Sequence, residues 1–278
     1  VPAGTNLTNR ITTNVGNLIN KGFEFSLNVK PFVKPTYSWS IGVNATINKN
    51  EITKLTAVDD PNFIGVETGG ISGGVGNYIQ INTVGYPRNT FFLAEQVYDS
   101  KGNPVDNLYV DRNNDQIVTS QGLSDRYRIK NPYPDLLMGF NSMFRYRNLD
   151  FSFNGRVSLG NYVYNNVASG SSNSGIYASV GGLANQNRAI LTTKFANPQY
   201  WSDHFLENGS FMRLDNMTFG YNFDNFAEST GTLRVYLSVQ NLFVITRYSG
   251  LDPEVFNGID DNIYPRPRTF MLGARLEF

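Results

Sequence analysis

The sequence predicts an all-β protein, a transmembrane antiparallel β-barrel, and three observations carry that expectation. The last eleven residues, RTFMLGARLEF, put Phe270, Leu272, Ala274, Leu276 and Phe278 on one parity and Met271, Gly273, Arg275 and Glu277 on the other. That is the period of two that sends alternate side chains to opposite faces of a strand. About eleven tilted residues is the length that crosses the hydrocarbon layer, and an aromatic end suits its interface. Aromatics make up 14% of the chain, with 16 Tyr and 20 Phe, and they are set among abundant Asn, Ser, Thr and Gly, a mixture that favours strands and turns. No run of about eighteen apolar residues exists, so helical spans are excluded. A buried strand of a soluble β-sandwich fits the terminal stretch equally well.

The pattern supplies the other strands in order. Lys21–Phe32 shows Phe23, Phe25, Leu27 and Val29 against Glu24, Ser26, Asn28 and Lys30. After the short Pro31–Pro35 turn, Thr36–Asn50 returns with Tyr37, Trp39, Ile41, Val43, Ala45 and Ile47 on one face. The glycine-rich Glu51–Gly76 reads as a loop, followed by weaker strands at about Asn77–Tyr86 and Thr90–Tyr98 joined by Pro87–Asn89. A polar loop, Asp99–Pro134, leads to a hairpin of Leu136–Arg147 and Leu149–Tyr164 across an Arg147-Asn148 turn. The longest loop, Asn165–Ser210, precedes Phe211–Asn225, a turn at Phe226–Gly231, and Thr232–Thr246; Arg247–Pro267 then leads to Arg268–Phe278.

These nine strands are joined alternately by a few residues and by about twenty to forty-five, as in outer-membrane barrels with tight turns on one side and long loops on the other. A sandwich has no reason to gather its long loops at one end. The face opposite the apolar one carries Lys30, Asn44, Arg145, Arg156, Gln240 and Arg275, suited to a wet interior. The long segments are expected outside the cell, and Pro31–Pro35, Pro87–Asn89, Arg147-Asn148 and Phe226–Gly231 on the periplasmic side. Nine is an odd count where single-chain bacterial barrels are even, which makes residues 1–278 the C-terminal part of one larger barrel. VPAGTNLTNR has no charged-then-apolar leader, so a leader has been removed or the chain begins within something larger.

Several stretches carry a family resemblance. NVGNLINKGFEFSLNV (14–29), WSIGVNATINKNEITKL (39–55), GYP (85–87), NPYPDLLMGFNSMFRYRNLDFSFNGRVSLGNYVYN from Asn131, FMRLDNMTFGY from Phe211, LRVYLSVQNLFVITRYSGLDPEV from Leu233 and the final PRTFMLGARLEF resemble the C-terminal region of SusC/RagA-type TonB-linked outer-membrane transporters. The motifs run in family order over essentially the whole chain. The resemblance implies a barrel of about 22 strands with an N-terminal plug. It also implies import of a glycan or peptide oligomer across the bacterial outer membrane, a SusD-like lipoprotein lid, energy from TonB-ExbB-ExbD through the absent plug and TonB box, and Phe278 as a terminal insertion signal. The alternative function is a binding or adhesion module, either a surface barrel or a soluble β-sandwich lectin.

Other classes have little support. The 23 basic and 23 acidic residues cancel and no basic run appears, so nucleic acid is not an expected partner. One histidine, His204, and no cysteine exclude a Cys-His nucleophile and a histidine zinc cluster, and no strand-turn-helix elbow supports a serine triad. The pairs Asp59-Asp60 and Asp260-Asp261 read as solvated loop acids, not as glycosidase carboxylates. The expectation is a protein that is not an enzyme and has no cofactor, with one opening for calcium. Asp111, Asn113 and Asp115 in DRNNDQIVTSQG have the alternate-oxygen spacing of a calcium loop, but Gln116 replaces the turn glycine and Gly122 the closing acid. An Asx-rich turn is the simpler reading. For cargo, the Asn165–Ser210 loop and its leading strand gather Tyr164, Tyr177, Arg188, Trp201, Asp203 and His204, flat rings beside polar groups that suit sugars or peptide side chains. Interfacial aromatic belts or the lid interface account for the same rings.

Overall fold

The computed structural model describes residues 14–58, 60–71, 73, 76–120, 122–175, 187–224, 226, 231–261 and 264–277. In chain order its strands are β1 (Asn17–Val33), β2 (Tyr37–Lys54), β3 (Val66–Gly70), β4 (Tyr78–Asn82), β5 (Thr90–Ala94), β6 (Gln96–Tyr98), β7 (Pro104–Tyr109) and β8 (Arg126–Ile129). They continue as β9 (Leu136–Tyr146), β10 (Leu149–Leu159), β11 (Tyr162–Tyr164), β12 (Leu206–Asn208), β13 (Phe211–Phe223), β14 (Thr232–Thr246) and β15 (Thr269–Glu277). Seven of these form one antiparallel sheet in the order β1-β2-β9-β10-β13-β14-β15.

The register of this sheet lines up the apolar parities of all seven strands. One row runs Phe32, Trp39, Phe144, Phe151, Phe219, Leu237, Leu272, and the next runs Ile41, Ser142, Phe153, Met217, Val239, Phe270. The opposite face carries an amide row, Asn28, Gly42, Asn141, Asn154, Asn216, Gln240, Thr269. It is the apolar face that lies bare: Phe23 is 66% exposed, Phe270 67% and Leu272 80%. A contiguous apolar surface of this extent is untenable in water and is what lipid requires, while amides suit a wet lumen. No second sheet covers it among the described residues, which removes the sandwich.

Connections between wall strands alternate without exception among these seven. At one end are the turn after Val33 and the two-residue Arg147-Asn148 turn, where Arg147 takes φ +51°. These two turns are neighbours, since Arg147 N donates to Thr36 O at 2.7 Å. At the other end lie the excursions 55–135, 160–210 and 247–268.

Among the described residues the wall therefore has seven strands and not nine. The expected strands at Asn77–Tyr86 and Thr90–Tyr98 fall in β4, β5 and β6, and β4 and β5 belong to a separate four-stranded sheet, β3-β4-β5-β8. At five residues each, β4 and β5 are too short to span lipid, which takes about nine to eleven. Ile79, Gln80, Ile81 and all of Thr90–Ala94 are buried, so both faces of these strands are covered by protein. Pro87–Asn89 is corrected with them. It sits at the long-loop end, held by Gly85 N to Ile52 O (2.8 Å), Ile52 N to Tyr86 O (3.0 Å) and Arg88 N to Asn50 Oδ1 (2.9 Å). Leu149–Tyr164 also divides, since the chain leaves the wall at Gly160, where φ is +89° and a Cβ would meet Asp135 Oδ2 at 2.3 Å.

The three excursions fold together into a cap. Ile71, Ile79, Phe91 and Leu93 from the first, Tyr164, Ala168, Phe195 and Phe205 from the second, and Ile259 from the third form one buried cluster. Phe278 and most of the Phe226–Gly231 turn lie outside the described residues.

The two faces predict opposite responses to charge. Phe219→Arg puts a guanidinium on the lipid face near mid-strand and is expected to cost about 2–4 kcal/mol, whereas Thr218→Arg on the lumen face costs little. Denaturant unfolding of the full-length barrel in lipid checks this, and equal losses would reverse the assignment of faces.

Candidate functional site

The second excursion begins as cap framework. Asn165 accepts from Ala168 N at 2.9 Å, capping the short helix Asn166–Ser171, and donates to Glu207 Oε1 (3.0 Å) and Ser249 Oγ (3.2 Å). Tyr164 is fully buried, its hydroxyl donating to Tyr200 O at 2.6 Å. Burial raises its pKa far above the usual tyrosine range. A ring enclosed in this way belongs to the core, which corrects its expected place on a ligand surface.

Asp203 and His204 lie on the 3-10 turn Asp203–Phe205, started by the buried Ser202, whose Oγ accepts from His204 N (3.1 Å) and donates to Gln96 Oε1 (2.7 Å). Asp203 Oδ1 accepts from Gln96 N (2.9 Å) and Oδ2 from the Tyr127 hydroxyl (2.7 Å). His204 Nδ1 shares a hydrogen bond of 3.0 Å with the Tyr98 hydroxyl, and its ring meets those of Phe195 and Phe205 edge-on. The Arg112 guanidinium stacks over Tyr127 at 4.3 Å and pairs with Glu95. Burial is the main cause of each shift here: it raises the Asp203 carboxyl against the opposing bonds from Gln96 and Tyr127, lowers His204, and pushes Tyr98 up to about 12 with help from the Asp203 charge. The bonds that Gln96, Tyr98 and Tyr127 make to Ser202, Asp203 and His204 join the second excursion to the first. The cluster is a fastener between loops, with its polar atoms turned to one another.

Trp201 is half-buried against the cap core, edge-on to Tyr200 at 6.4 Å, while its carbonyl accepts from Ala94 N (2.8 Å). Arg188 is exposed and borders a cavity of about 650 Å³ with Asn165, Asn187, Thr192 and Leu251, which Trp201, Asp203 and His204 do not line. The expected ligand residues are thus divided between core, fastener and surface; Tyr177 lies outside the described residues.

The calcium-like loop is a run of Asx turns. Asp111 accepts from Asn114 N (2.7 Å) and Gln116 N (2.9 Å), Asn113 from Asp115 N (3.0 Å), and Asp115 from Ile117 N (2.8 Å) and Asn113 Nδ2 (2.8 Å). Gln116 takes the glycine-like φ of +67°. With Gly122 at the closing position the donor set does not fit a calcium loop. Among the described residues no three His, Cys, Asp or Glu side chains are grouped for a metal.

Sequence reasoning missed an ionic network where wall meets cap. Arg213 on β13 and Asp252 in the third excursion are both buried and joined Nη2 to Oδ1 at 2.6 Å. Around them Glu254 Oε2 receives Arg156 Nη2 (2.9 Å) and Arg266 Nη1, and stands 3.7 Å from Arg213 Nε; Arg156 also reaches Asp215 Oδ1 at 3.4 Å. A register shift between Leu214 and Asn216 makes room for this, letting Arg213, Asp215 and Asn216 all serve the lumen side. The signal was present in FMRLDN and LDPEV, an arginine and an acid pair outside the apolar pattern.

A lipid-facing sheet with a polar inner face and a folded cap at one end defines a wall segment of an outer-membrane-type β-barrel. The chain is 43% identical over its whole length to the TonB-dependent receptor SusC of Bacteroides thetaiotaomicron and 31% identical over 95% of its length to the TonB-dependent receptor P3 of Formosa agariphila. It spans 28% and 29% of those relatives. The solved structure of the RagAB peptide importer in its closed-closed state superposes with a TM-score of 0.74 at 27% identity, over 95% of this chain and 30% of that one. No family model matches. The chain belongs to the SusC/RagA-type family of TonB-dependent receptors, and its relatives are receptors and transporters, not enzymes.

Two substitutions test the site's architecture. Arg213→Met leaves Asp252 buried without its partner and is expected to cost about 3–5 kcal/mol in unfolding of the full-length protein. His204 has a folded-state pKa below its ordinary 6.5, so the unfolded chain takes the proton first and stability falls as pH drops below about 6.5. Asp203, with a raised pKa, has the opposite sign at lower pH. His204→Gln should therefore flatten the fall in cap melting temperature between about pH 7.5 and 5.5, and an unchanged slope would place that titration elsewhere.

Proposed function

We propose that the chain is wall and cap of an importer that carries a nutrient oligomer, glycan or peptide, across the bacterial outer membrane. The observation that carries this reading is a lipid-facing apolar surface seven strands wide, backed by a polar lumen face and capped at one end only by three long excursions. The cap lies outside the cell and the tight turns in the periplasm. The importer works with a SusD-like surface lipoprotein and draws energy from TonB-ExbB-ExbD through a plug. Likeness to a protein described as a peptide importer, RagAB, supports transport of an oligomer without fixing its chemistry here. Arg188 and the exposed part of Trp201 are the remaining candidates for contact with cargo or lipoprotein.

In cells expressing the full-length gene, oligomer uptake should disappear when TonB is deleted, and Arg188→Ala should weaken uptake or lipoprotein docking at unchanged barrel yield. Uptake indifferent to TonB would end the importer reading. Uptake and docking both indifferent to Arg188→Ala would remove that residue from the contact surface.

A further inference from the structure

At one corner of the wall the apolar face gives way to charge. On β1 and β2 its cross-strand pairs run from Phe32 with Trp39 to Phe23 with Ile47, about the nine to eleven residues that cross hydrocarbon. The next pair toward the cap on the same face is Lys21 directly opposite Lys49, followed by Ile19 opposite Glu51. Like charges set directly opposite are destabilising. Among the described residues neither ammonium has a carboxylate within salt-bridge distance. Other wall pairs at the cap end of this face stay apolar, Leu136 with Leu159 and Met212 with Ile245.

The lysine pair borders a hollow. β2 runs on past its last partner on β9, where Thr46 meets Leu137, and is next held by Arg88 N on Asn50 Oδ1 and by the backbone of Gly85 and Tyr86 on Ile52. Beside that gap lies a cavity of about 530 Å³ whose lining includes Lys21, Lys49, Glu51, Thr53, Asn50 and Asn131. The first four share the parity that faces lipid lower down, so the hollow belongs to the outer side of the wall. A further acid on its lining, Asp135, is turned toward Gly160, where an added Cβ would lie 2.3 Å from its Oδ2.

The order of groups along the strands selects what fits. Two ammoniums at the edge of the hydrocarbon call for an anion between them, and a phosphate accepts from both. Nearer the cap, Glu51, Thr53, Asn50 and Asn131 accept from and donate to hydroxyls. Below the lysines, Phe23 and Ile47 continue into the apolar face and suit acyl chains. A phosphate at the acyl boundary with sugar hydroxyls above it is the headgroup of a phosphorylated glycolipid. A glycerophospholipid brings the phosphate but leaves the upper half of the hollow unfilled.

We propose that this hollow is a binding site for a phosphorylated glycolipid of the outer leaflet, its phosphate between Lys21 and Lys49 and its sugar against Glu51 and the amides. The site rests on the outward orientation of the cap in the importer reading.

The test uses the full-length transporter, delipidated in detergent and titrated by native mass spectrometry with phosphorylated lipid A, dephosphorylated lipid A and phosphatidylglycerol. Phosphorylated lipid A should bind in preference to both others. Lys21→Gln combined with Lys49→Gln should weaken it about thirtyfold, the equivalent of about 1 kcal/mol for each lysine at a lipid surface. Lys21→Arg combined with Lys49→Arg should restore binding, and Lys34→Gln, just past the other end of β1, should leave it unchanged. Heat-dependent gel mobility identifies the folded barrels to be compared. Phosphatidylglycerol or dephosphorylated lipid A binding as well as the phosphorylated form, or affinity indifferent to the double glutamine variant, overturns the site and leaves the lysines as interface anchors. An epitope inserted at the exposed Lys101-Gly102 turn reads the orientation separately on intact cells. Display without glycolipid preference ends the site alone, whereas an epitope hidden from antibody ends the outward orientation and the site with it.

Discussion

In hydrocarbon no water can replace a lost backbone hydrogen bond, and the division of this chain into wall and cap follows from that constraint. Each wall strand must find partners along the length that crosses lipid, so only the long, evenly alternating strands qualify. The five-residue strands β4 and β5 meet their backbone needs in a small sheet inside the cap, where protein covers both faces. The irregularities of the wall are placed accordingly. The register shift near Asp215 falls toward the cap end of β13, and Asn241, with φ +52° on β14, turns its side chain to Arg213 and the Arg266 carbonyl.

The Arg213-Asp252 pair does for the cap what backbone pairing does for the wall. Burying two charges is expensive, and such a pair is weak evidence of added stability. Its geometry instead fixes position, because a guanidinium holding Asp252 while facing Glu254 admits few placements of the third excursion. The second excursion is fixed by different means, through Gly160 at its exit and the Asp203, His204 and Ser202 bonds to β6 and its neighbours. Each excursion is thus tied to something outside itself, and the shared cluster around Phe91, Tyr164 and Ile259 completes the cap.

The wall was legible in the sequence because lipid and lumen write a period of two that survives in every strand. Phe23, Phe144, Phe219 and Leu272 announce their face without help from their neighbours. The cap was not, because its strands are buried on both sides. YIQIN and TFFLA are short apolar runs with no face to display, and they pass for weak membrane strands at the level of pattern. The places of Tyr164, Asp203 and His204 were hidden for a related reason. A Tyr near the end of a strand and an Asp-His pair in a polar loop are the types that bind sugars, and also the types that close hydrogen bonds between loops. Only the positions of Gln96, Tyr98 and Tyr127, about eighty to a hundred residues away, decide which.

What remains exposed after those bonds are made is informative because the cap uses its polar groups so fully. Asp203, Gln96, Gln199 and Asn165 each satisfy several partners inside the fold, and their chemistry is spent there. Arg156 and Glu254 differ: they are held in place by a buried neighbour yet keep part of their surface toward the lumen. The same economy of bonding encloses Tyr164 and Asp203 within the cap and leaves Arg156 and Glu254 partly open at the lumen end of the network.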